Sequence, residues 1–302
     1  HLQFTQQAFL WSSQAHPFAQ HRLDSSNGET SFLSSDAGAL VSVVTDHVVQ
    51  GRVIFPGAGY LEMGRAAWSA VSGGTTGAAL RGVFFLQPLV VETPGLNIEC
   101  ALTGRTFEIR SGIPTVNALE DSTVHCSGGV RTERGELPRA DHSSVRASCG
   151  PAAQMAPLFD GFSAIGLQYG PLYRCLENAW GAFASAGARL RLRSTSLGAQ
   201  VHPADLDGAL QLGALTASAA IGGEARLPFA VDTALLRGDA VRLLWAVRRC
   251  FSRPPDQSHA RADSWCAPRV AVGECDSCGE QRGADGRERR HSAGGASRRL
   301  SE

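Results

Sequence analysis

The sequence predicts an α+β fold built from one unit used twice. Each half of the chain places β-rich runs around a single apolar helix, and the halves are of similar size. Between them lies a stretch without apolar periodicity that collects Pro, Ser and Ala. No residue-level repeat links the halves, so the duplication rests on the pattern of elements alone.

The N-terminal half, 1–135, opens with "SFLSSDAGALVSVV" and continues through "GVFFLQPLVV", both β-rich. "LNIECALT" followed by "RTFEIR" reads as a hairpin. Between the first two runs, "GAGYLEMGRAAWSAV" sets Tyr60, Leu61, Met63, Ala67, Trp68 and Val71 at helical spacing. That predicts a helix buried along most of its length. Residues 136–157, "ELPRADHSSVRASCGPAAQMAP", read as a linker.

The C-terminal half, 158–252, restarts the pattern. "FDGFSAIGLQYGPLYRCLENAWGAF" leads into the strand-like "GARLRLRS", and "HPADLDGALQLGALTASAA" reads as the second apolar helix. From Arg253 to Glu302 the periodicity is lost, and this tail holds nine of the 28 Arg. It is too polar to pack a core and is expected to be disordered. A basic tail for an acidic partner is the less favoured reading.

Bulk composition narrows the class. The chain has 302 residues, 43% hydrophobic and 19% charged, which suits a soluble globular protein with a sizeable core. The formal net charge is zero, so no global basic field points to nucleic acid or an anionic membrane. No run approaches the roughly 20 apolar residues of a membrane span. The start, "HLQFTQQAFL", has neither a basic signal-peptide region nor Met, and reads as a segment of something longer. The expected location is the cytoplasm.

All 28 basic side chains are Arg, a mark of GC-rich coding rather than of chemistry. The eight Cys are scattered, and only Cys275 and Cys278 have CxxC spacing. Without a second CxxC or a His pair that is a weak zinc signal, and reduced thiols are the simpler reading. No metal site is expected.

The stretch "DHVVQGRVIFPGAGYLE" concentrates chemistry. His47 is followed at fixed spacing by Gly51 and Pro56, and then by a glycine-rich helix start at Gly57. The two bending residues hold the backbone in a close-approach shape. The helix start offers free amides to an oxygen gaining negative charge. A neutral imidazole beside them is a suitable proton acceptor. Alone, the stretch equally suits a structural histidine before a strand.

A second cluster lies far down the chain. "VHPADLDGALQ" puts Asp207 and Gln211 four apart, on one face of a helix, where the amide can orient the carboxyl. Burial beside Leu206, Leu210 and Leu212 favours the protonated acid. Upstream, Tyr169, Gly170 and Pro171 form a tight turn carrying a phenol. A helix N-terminal charge and a half-buried core aromatic are the plain alternatives for Asp207 and Tyr169.

Four motifs in register resemble one family. They are "HPF" at His16–Phe18, "HVVQGRVIFP" at His47–Pro56, "YGP" at Tyr169–Pro171 and "HPADLDGALQ" at His202–Gln211. Over about residues 10–250 the chain resembles the dehydratase domains of modular polyketide synthases, relatives of the fatty acid synthase dehydratases. The resemblance implies a double hotdog fold: two antiparallel sheets, each wrapped around a long helix, with the site between them. It matches His47 to the family's catalytic histidine and Asp207 to its catalytic aspartate. Gly51, Pro56, Gly57, Tyr169, Gly170, Pro171 and Gln211 become supporting or substrate-binding residues. The implied substrate is a β-hydroxyacyl thioester on the phosphopantetheine arm of an acyl carrier protein. No cofactor of the domain's own is implied, and a homodimer amid neighbouring synthase domains is.

The chain departs from the family pattern at three places. Tyr173 stands where Phe is usual, and is expected only to polarise the pocket wall. Asp205 is an extra acid, expected to turn to solvent because it lies two residues from Asp207 on a helix. After "LPFAVDTALLRGDAVRLLWAVRR" the family's closing strands give way to Arg/Gly/Ser-rich sequence. A reading frame shifted by one base and a divergent end both fit that change, and either leaves the second sheet with an unpaired edge. Two other functions stay open: a related cyclase or isomerase, and a non-catalytic docking domain.

Overall fold

A computed structural model describes residues 13–24, 28–36, 38–74, 77–114, 119–134, 142–183, 185–216, 229–238, 245–250 and 268–273. The first half begins with β1 (Ser13–His16), β2 (Ala19–Asp24) and β3 (Glu29–Ser35). There follow α1 (Ala39–Val44), the short hairpin β4 (His47–Val49) and β5 (Arg52–Val53), and the long helix α2 (Gly57–Val71). Strands β6 (Gly77–Phe85), β7 (Asn97–Thr103), β8 (Thr106–Pro114) and β9 (Leu119–Thr132) complete it.

The second half holds α3 (His142–Ser148), β10 (Ala152–Ala153), α4 (Met155–Ala164), β11 (Leu167–Tyr169), β12 (Leu176–Gly181) and β13 (Ser185–Leu190). Then come α5 (Pro203–Gln211), a 3-10 turn at Leu212–Leu215, and β14 (Ala230–Arg237), β15 (Trp245–Cys250) and β16 (Pro268–Gly273).

The strands form an eight-stranded antiparallel sheet, order β1-β2-β3-β7-β8-β9-β6-β14, and a five-stranded one, order β10-β12-β13-β15-β16. Each carries its own helix, as the α+β expectation requires. Helix α2 packs on the large sheet, where Met63, Ala67, Leu80, Phe107 and Ile109 form part of one core. Helix α5 packs on the small sheet through Ala209 beside Leu176, Ala188, Leu190 and Leu212. The helices also contact each other, so the two cores meet along α2 and α5.

Helix α2 spans the residues read from periodicity. Pro56 stands at its N-cap with extended backbone, and the amide of Gly74 returns to the Ser69 carbonyl at 2.9 Å to close the C-terminus. The expected hairpin of "LNIECALT" and "RTFEIR" is the β7–β8 pair, in register from Asn97 opposite Gly112 to Thr103 opposite Thr106.

Several expectations need correction. "GALVSVV" is not strand: Gly38 breaks the extended chain at φ 66°, and Leu40, Val43 and Val44 bury one face of α1. Their i, i+3, i+4 spacing outweighs the β preference of valine. "GVFFLQPLVV" is strand only to Phe85; its end instead pairs back to the segment before α2, with Phe55 donating to the Leu89 carbonyl at 2.8 Å.

The 136–157 stretch is not a plain linker, since α3, β10 and the start of α4 fall inside it. Val145 of α3 is buried. Nor is 158–252 a self-contained half: β14 pairs with β6 and extends the first sheet, from Ala230 opposite Phe84 to Arg237 opposite Gly77. The expected missing edge is also supplied in part. β16, inside the 253–302 tail, pairs with β15 from Trp245 opposite Gly273 to Cys250 opposite Pro268. Cys275 and Cys278 lie outside the described residues.

Candidate active site

A third, three-stranded sheet of order β11-β4-β5 joins the halves. β4 and β5 come from the first half and β11 from the second. Their register sets Tyr169 opposite His47, Gln168 opposite Val48 and Leu167 opposite Val49. The β4–β5 hairpin turns on Gln50 and Gly51, with φ of 50° and 78°. Two successive positive φ values make the tight turn whose twist matches a hairpin, and glycine bears the second at no steric cost. Gly51 therefore acts as a turn former. It is exposed, and its amide donates to Gln168 Oε1 of β11 at 2.8 Å.

That hairpin fixes the histidine. His47 is buried, and its Nδ1 lies 2.8 Å from the Ile54 carbonyl of the facing arm. A carbonyl only accepts, so Nδ1 carries the hydrogen and Nε2 keeps a free lone pair. The imidazole is thus held as the tautomer that can take up a proton at Nε2. Its ring packs 5.8 Å from Tyr169 and 5.3 Å from Tyr173, centroid to centroid.

Pro56 is buried and Gly57 half-buried at the start of α2. The first amides of the helix that reach back are those of Gly59 and Tyr60, to the Pro56 carbonyl. The Gly57 and Ala58 amides stand ahead of them at the positive end of the helix dipole.

The carboxyl comes from the other half. His202 caps α5: its Nδ1 accepts from the Ala204 amide at 3.2 Å, with Pro203 at the first helical position. One turn on, Asp207 is buried, and Gln211 Nε2 donates to its Oδ2 at 3.0 Å. The same amide group donates to the Tyr173 carbonyl at 3.1 Å, so Gln211 ties the acid to the chain after the tyrosine turn. Burial raises the Asp207 pKa above the ordinary carboxylate range. The hydrogen bonds from Gln211 and Tyr169, and the positive charge that His47 gains on taking up a proton, act in the other direction without cancelling the rise. The Tyr169 phenol is itself raised, first by burial and then by the Asp207 charge. Helix α5 packs against Cys175, just before β12, because position 208 is glycine; a Cβ there would run into Cys175 Sγ.

Gly170 and Pro171 complete the turn. Gly170 donates to the Asp46 carbonyl at 2.8 Å, and Leu172 to Asp46 Oδ2 at 2.6 Å. A side chain at 170 would meet Asp46 Cγ at 2.5 Å, which explains the glycine. Pro171 is exposed, and its ring leaves the turn without a backbone donor at that position.

Two readings are overturned here. Asp205 does not face solvent: it is buried and accepts from Arg193 Nε at 2.7 Å, while Arg193 Nη2 reaches the Leu172 carbonyl at 3.1 Å. α5 is enclosed on nearly all sides, so a turn away from Asp207 leads into protein. Tyr173 does not polarise the pocket wall, because it is wholly buried and its hydroxyl donates to the Val43 carbonyl of α1 at 3.2 Å.

Sequence reasoning passed over Asp46, Gln168 and Arg193, each of which braces the site from a neighbouring element. It also passed over Glu62 and Arg65, buried at 0% and 1% exposure on α2 with Nε–Oε2 of 2.6 Å. Two opposite charges at i and i+3 in a helix otherwise read as apolar were the available signal. Among the described residues no cluster suits a metal ion, and no helix is long and apolar enough to cross a membrane. A cavity of about 300 Å³ beside α2, lined by His16, Arg65, Ser69 and Gln200 among others, includes neither His47 nor Asp207.

Two antiparallel sheets, each packed on its own helix, with a buried imidazole from one half and a buried carboxyl from the other, define a protein of the double hotdog kind. Known proteins agree. A family model described as "Polyketide synthase dehydratase domain" matches residues 16–112, and one described as "Polyketide synthase dehydratase N-terminal domain" matches 138–268. Polyketide synthase ThaG of Burkholderia thailandensis is 36% identical over 180 residues, 56% of this chain. The chain spans 3% of the length of ThaG and 4% of Bacillus subtilis PksN.

Among solved structures, a trans-AT polyketide synthase dehydratase domain from Brevibacillus brevis superposes with a TM-score of 0.67 at 24% identity. It covers 87% of this chain and 97% of that one. Two structures of the CurK dehydratase, described as inactive mutants, give TM-scores of 0.66 and 0.67 at 19% and 20% identity. They cover 86% and 85% of this chain and 100% and 95% of theirs. One carries an aspartate-to-asparagine change and the other a histidine-to-phenylalanine change. The chain belongs to the dehydratase domains of polyketide synthases.

Proposed function

We propose that the domain dehydrates its substrate in polyketide chain elongation, with His47 the base and Asp207 the acid. The substrate is a β-hydroxyacyl chain held as a thioester on the phosphopantetheine arm of an acyl carrier protein. The observation that carries the reading is the opposed preparation of the two groups. The Ile54 carbonyl takes the hydrogen of His47 Nδ1 and so directs the basic lone pair of the neutral ring to Nε2, while burial raises the Asp207 carboxyl toward its protonated form. An acid and a base set apart in this way by their surroundings suit proton removal and proton delivery in one site.

His47 Nε2 takes the α-proton, and negative charge moves to the thioester oxygen, which the Gly57 and Ala58 amides can meet. Asp207 gives its proton to the departing β-hydroxyl, and water leaves. Gln211 orients the acid, and the Tyr169 phenol, hydrogen-bonded to Asp207 with its ring 5.8 Å from that of His47, guides the hydroxyl. Each acid or base is expected to supply about 10²–10⁴-fold. The two CurK inactive mutants change the same two residue types, which supports the assignment.

The reaction so written needs no cofactor from the domain. Carrier protein and adjoining synthase domains are the partners, with a homodimer and a cytoplasmic location. Ring closure after dehydration uses the same acid and base. A pure isomerase does not need Asp207, whose retention favours dehydration.

The test is mass spectrometry of a β-hydroxyacyl carrier protein, or a short thioester mimic, incubated with the chain. Loss of one water that disappears in His47→Ala is the expected result. A well-folded sample that releases no water would overturn the reading in favour of a docking domain.

A further inference from the structure

Glu62 lies in the middle of α2 with its carboxylate wholly enclosed. It accepts five hydrogen bonds. Arg65 Nε reaches Oε2 at 2.6 Å, and Arg65 Nη2 reaches Oε1 at 2.9 Å. His16 Nε2 lies 2.9 Å from Oε1, and the backbone amides of Gln200 and Val201 reach the same oxygen at 3.0 Å each. Burial alone would push this carboxyl up; the hydrogen bonds from His16 and Arg65 outweigh it and hold the group ionised.

The partners come from three places in the fold: β1, α2 and the segment that enters α5. Gln200 and Val201 directly precede His202, the cap of α5, and Asp207 follows within six residues of Val201. A helix transmits a displacement at its start along its whole length. The carboxylate sits on the same helix that follows the His47 hairpin in the chain, starting at Gly57 after β5 ends at Val53. Acid and base are therefore both referenced to α2, one through its N-terminus and the other through Glu62.

We infer that Glu62 is a positioning residue: by accepting the Gln200 and Val201 amides it fixes where Asp207 stands relative to His47. The inference rests on the reading of Asp207 as the acid. Arg65 and His16 hold the Glu62 carboxylate in place and balance its charge, and Gln200 and Val201 are what it holds in turn.

The test compares two double variants. Glu62→Gln with Arg65→Met keeps an acceptor oxygen for the two amides. Glu62→Met with Arg65→Met keeps none. Neither leaves a buried charge unpaired, so their difference isolates the tether. Dehydration of a β-hydroxyacyl thioester gives kcat and KM, and hydrogen exchange by mass spectrometry follows residues 198–206.

The expected result is kcat lower by about 10–100-fold in the Met/Met variant than in the Gln/Met variant. KM should stay within about twofold, and the Gln200 and Val201 amides should exchange faster. Equal kcat in the two variants overturns the inference, as does faster exchange with kcat unchanged. A parent protein that fails to dehydrate, with Asp207→Asn no different, sinks the acid assignment instead; the exchange comparison still decides whether Glu62 holds the segment. Should the Met/Met variant not fold, Glu62→Asp replaces it, since its carboxylate keeps the Arg65 charge partner but falls one methylene short of the two amides.

Discussion

His47 and Tyr169 are cross-strand partners, one from each half of the chain, paired in the antiparallel β4–β11 ladder with ring centroids 5.8 Å apart. The pairing is what brings the N-terminal His47 to a C-terminal turn, and Gln211 then ties that turn to Asp207 through the Tyr173 carbonyl. Tyr169→Phe keeps the ring and removes the hydroxyl beside Asp207. Losing one hydrogen bond of about 1–1.5 kcal/mol at the reacting group lowers kcat by roughly tenfold. The melting temperature should be nearly unchanged. Steady-state kinetics with a thioester mimic, alongside a melt, checks both; a wild-type kcat would remove Tyr169 from the chemistry.

His47→Ala and Asp207→Asn should each fold and form no detectable enoyl product, a loss of at least about 10²-fold. Circular dichroism verifies the fold and mass spectrometry the product. Turnover surviving in either variant assigns the proton transfer elsewhere.

Much of this site was legible in the sequence, and the legible parts share a cause. His47, Asp207 and Gln211 sit at spacings set by one hairpin or one helix turn, and local geometry is what a sequence encodes openly. α2 was readable for the same reason, since its apolar residues recur at helical period. The illegible parts depend on distant partners. Asp205 looked exposed because its own helix turns it away from Asp207, while Arg193, on the segment after β13, decides the matter. β14 looked like part of the second half by position, yet its partner β6 lies about 150 residues earlier, as Ala230 opposite Phe84 shows. The valines of α1 looked like strand because β preference and helical spacing compete there, and burial chose the helix.

Gly170→Ala should be costly. The new methyl meets the Asp46 carboxyl, and the backbone cannot yield without breaking the Gly170 and Leu172 amide bonds to Asp46. Overpacking of this kind typically costs about 1–3 kcal/mol. The expected outcome is a lower denaturant midpoint together with reduced kcat, because Asp46 adjoins His47. A variant as stable and active as the parent would show that the turn has room.

Gln211 makes the pH dependence of turnover a test with a definite sign. As the proposed acid, Asp207 acts only while protonated, so kcat should fall as pH rises through its raised pKa. Gln211 donates to the ionised form and so lowers that pKa. Gln211→Leu removes the donation. It should therefore move the alkaline limb to higher pH while lowering kcat through loss of orientation. A limb that moves to lower pH, or does not move, would place another group in the role of acid.

His202 and Glu62 make the fold itself sensitive to acid, in the same direction. The His202 ring is pushed down to about 3, by burial first and then by the Arg193 charge, with the Glu62 charge pulling the other way. Its ordinary value is 6.5, so between these limits the unfolded chain binds a proton that the folded chain refuses. Stability must then fall as pH drops from about 6.5. Glu62 is held below its ordinary 4.5, so its contribution is present above that value and is lost on further acidification. The melting temperature should decline from pH 6.5 downward and steepen below 4.5. His202→Asn separates the two groups, because asparagine can still cap α5 but does not titrate. Its melting temperature should decline less between pH 6.5 and 4.5 than the parent's, the slope that remains belonging to other buried groups such as His125, which burial also holds below its ordinary value, before the Glu62 loss sets in. A decline in that variant parallel to the parent's between pH 6.5 and 5 would show that His202 is not the residue that senses acid.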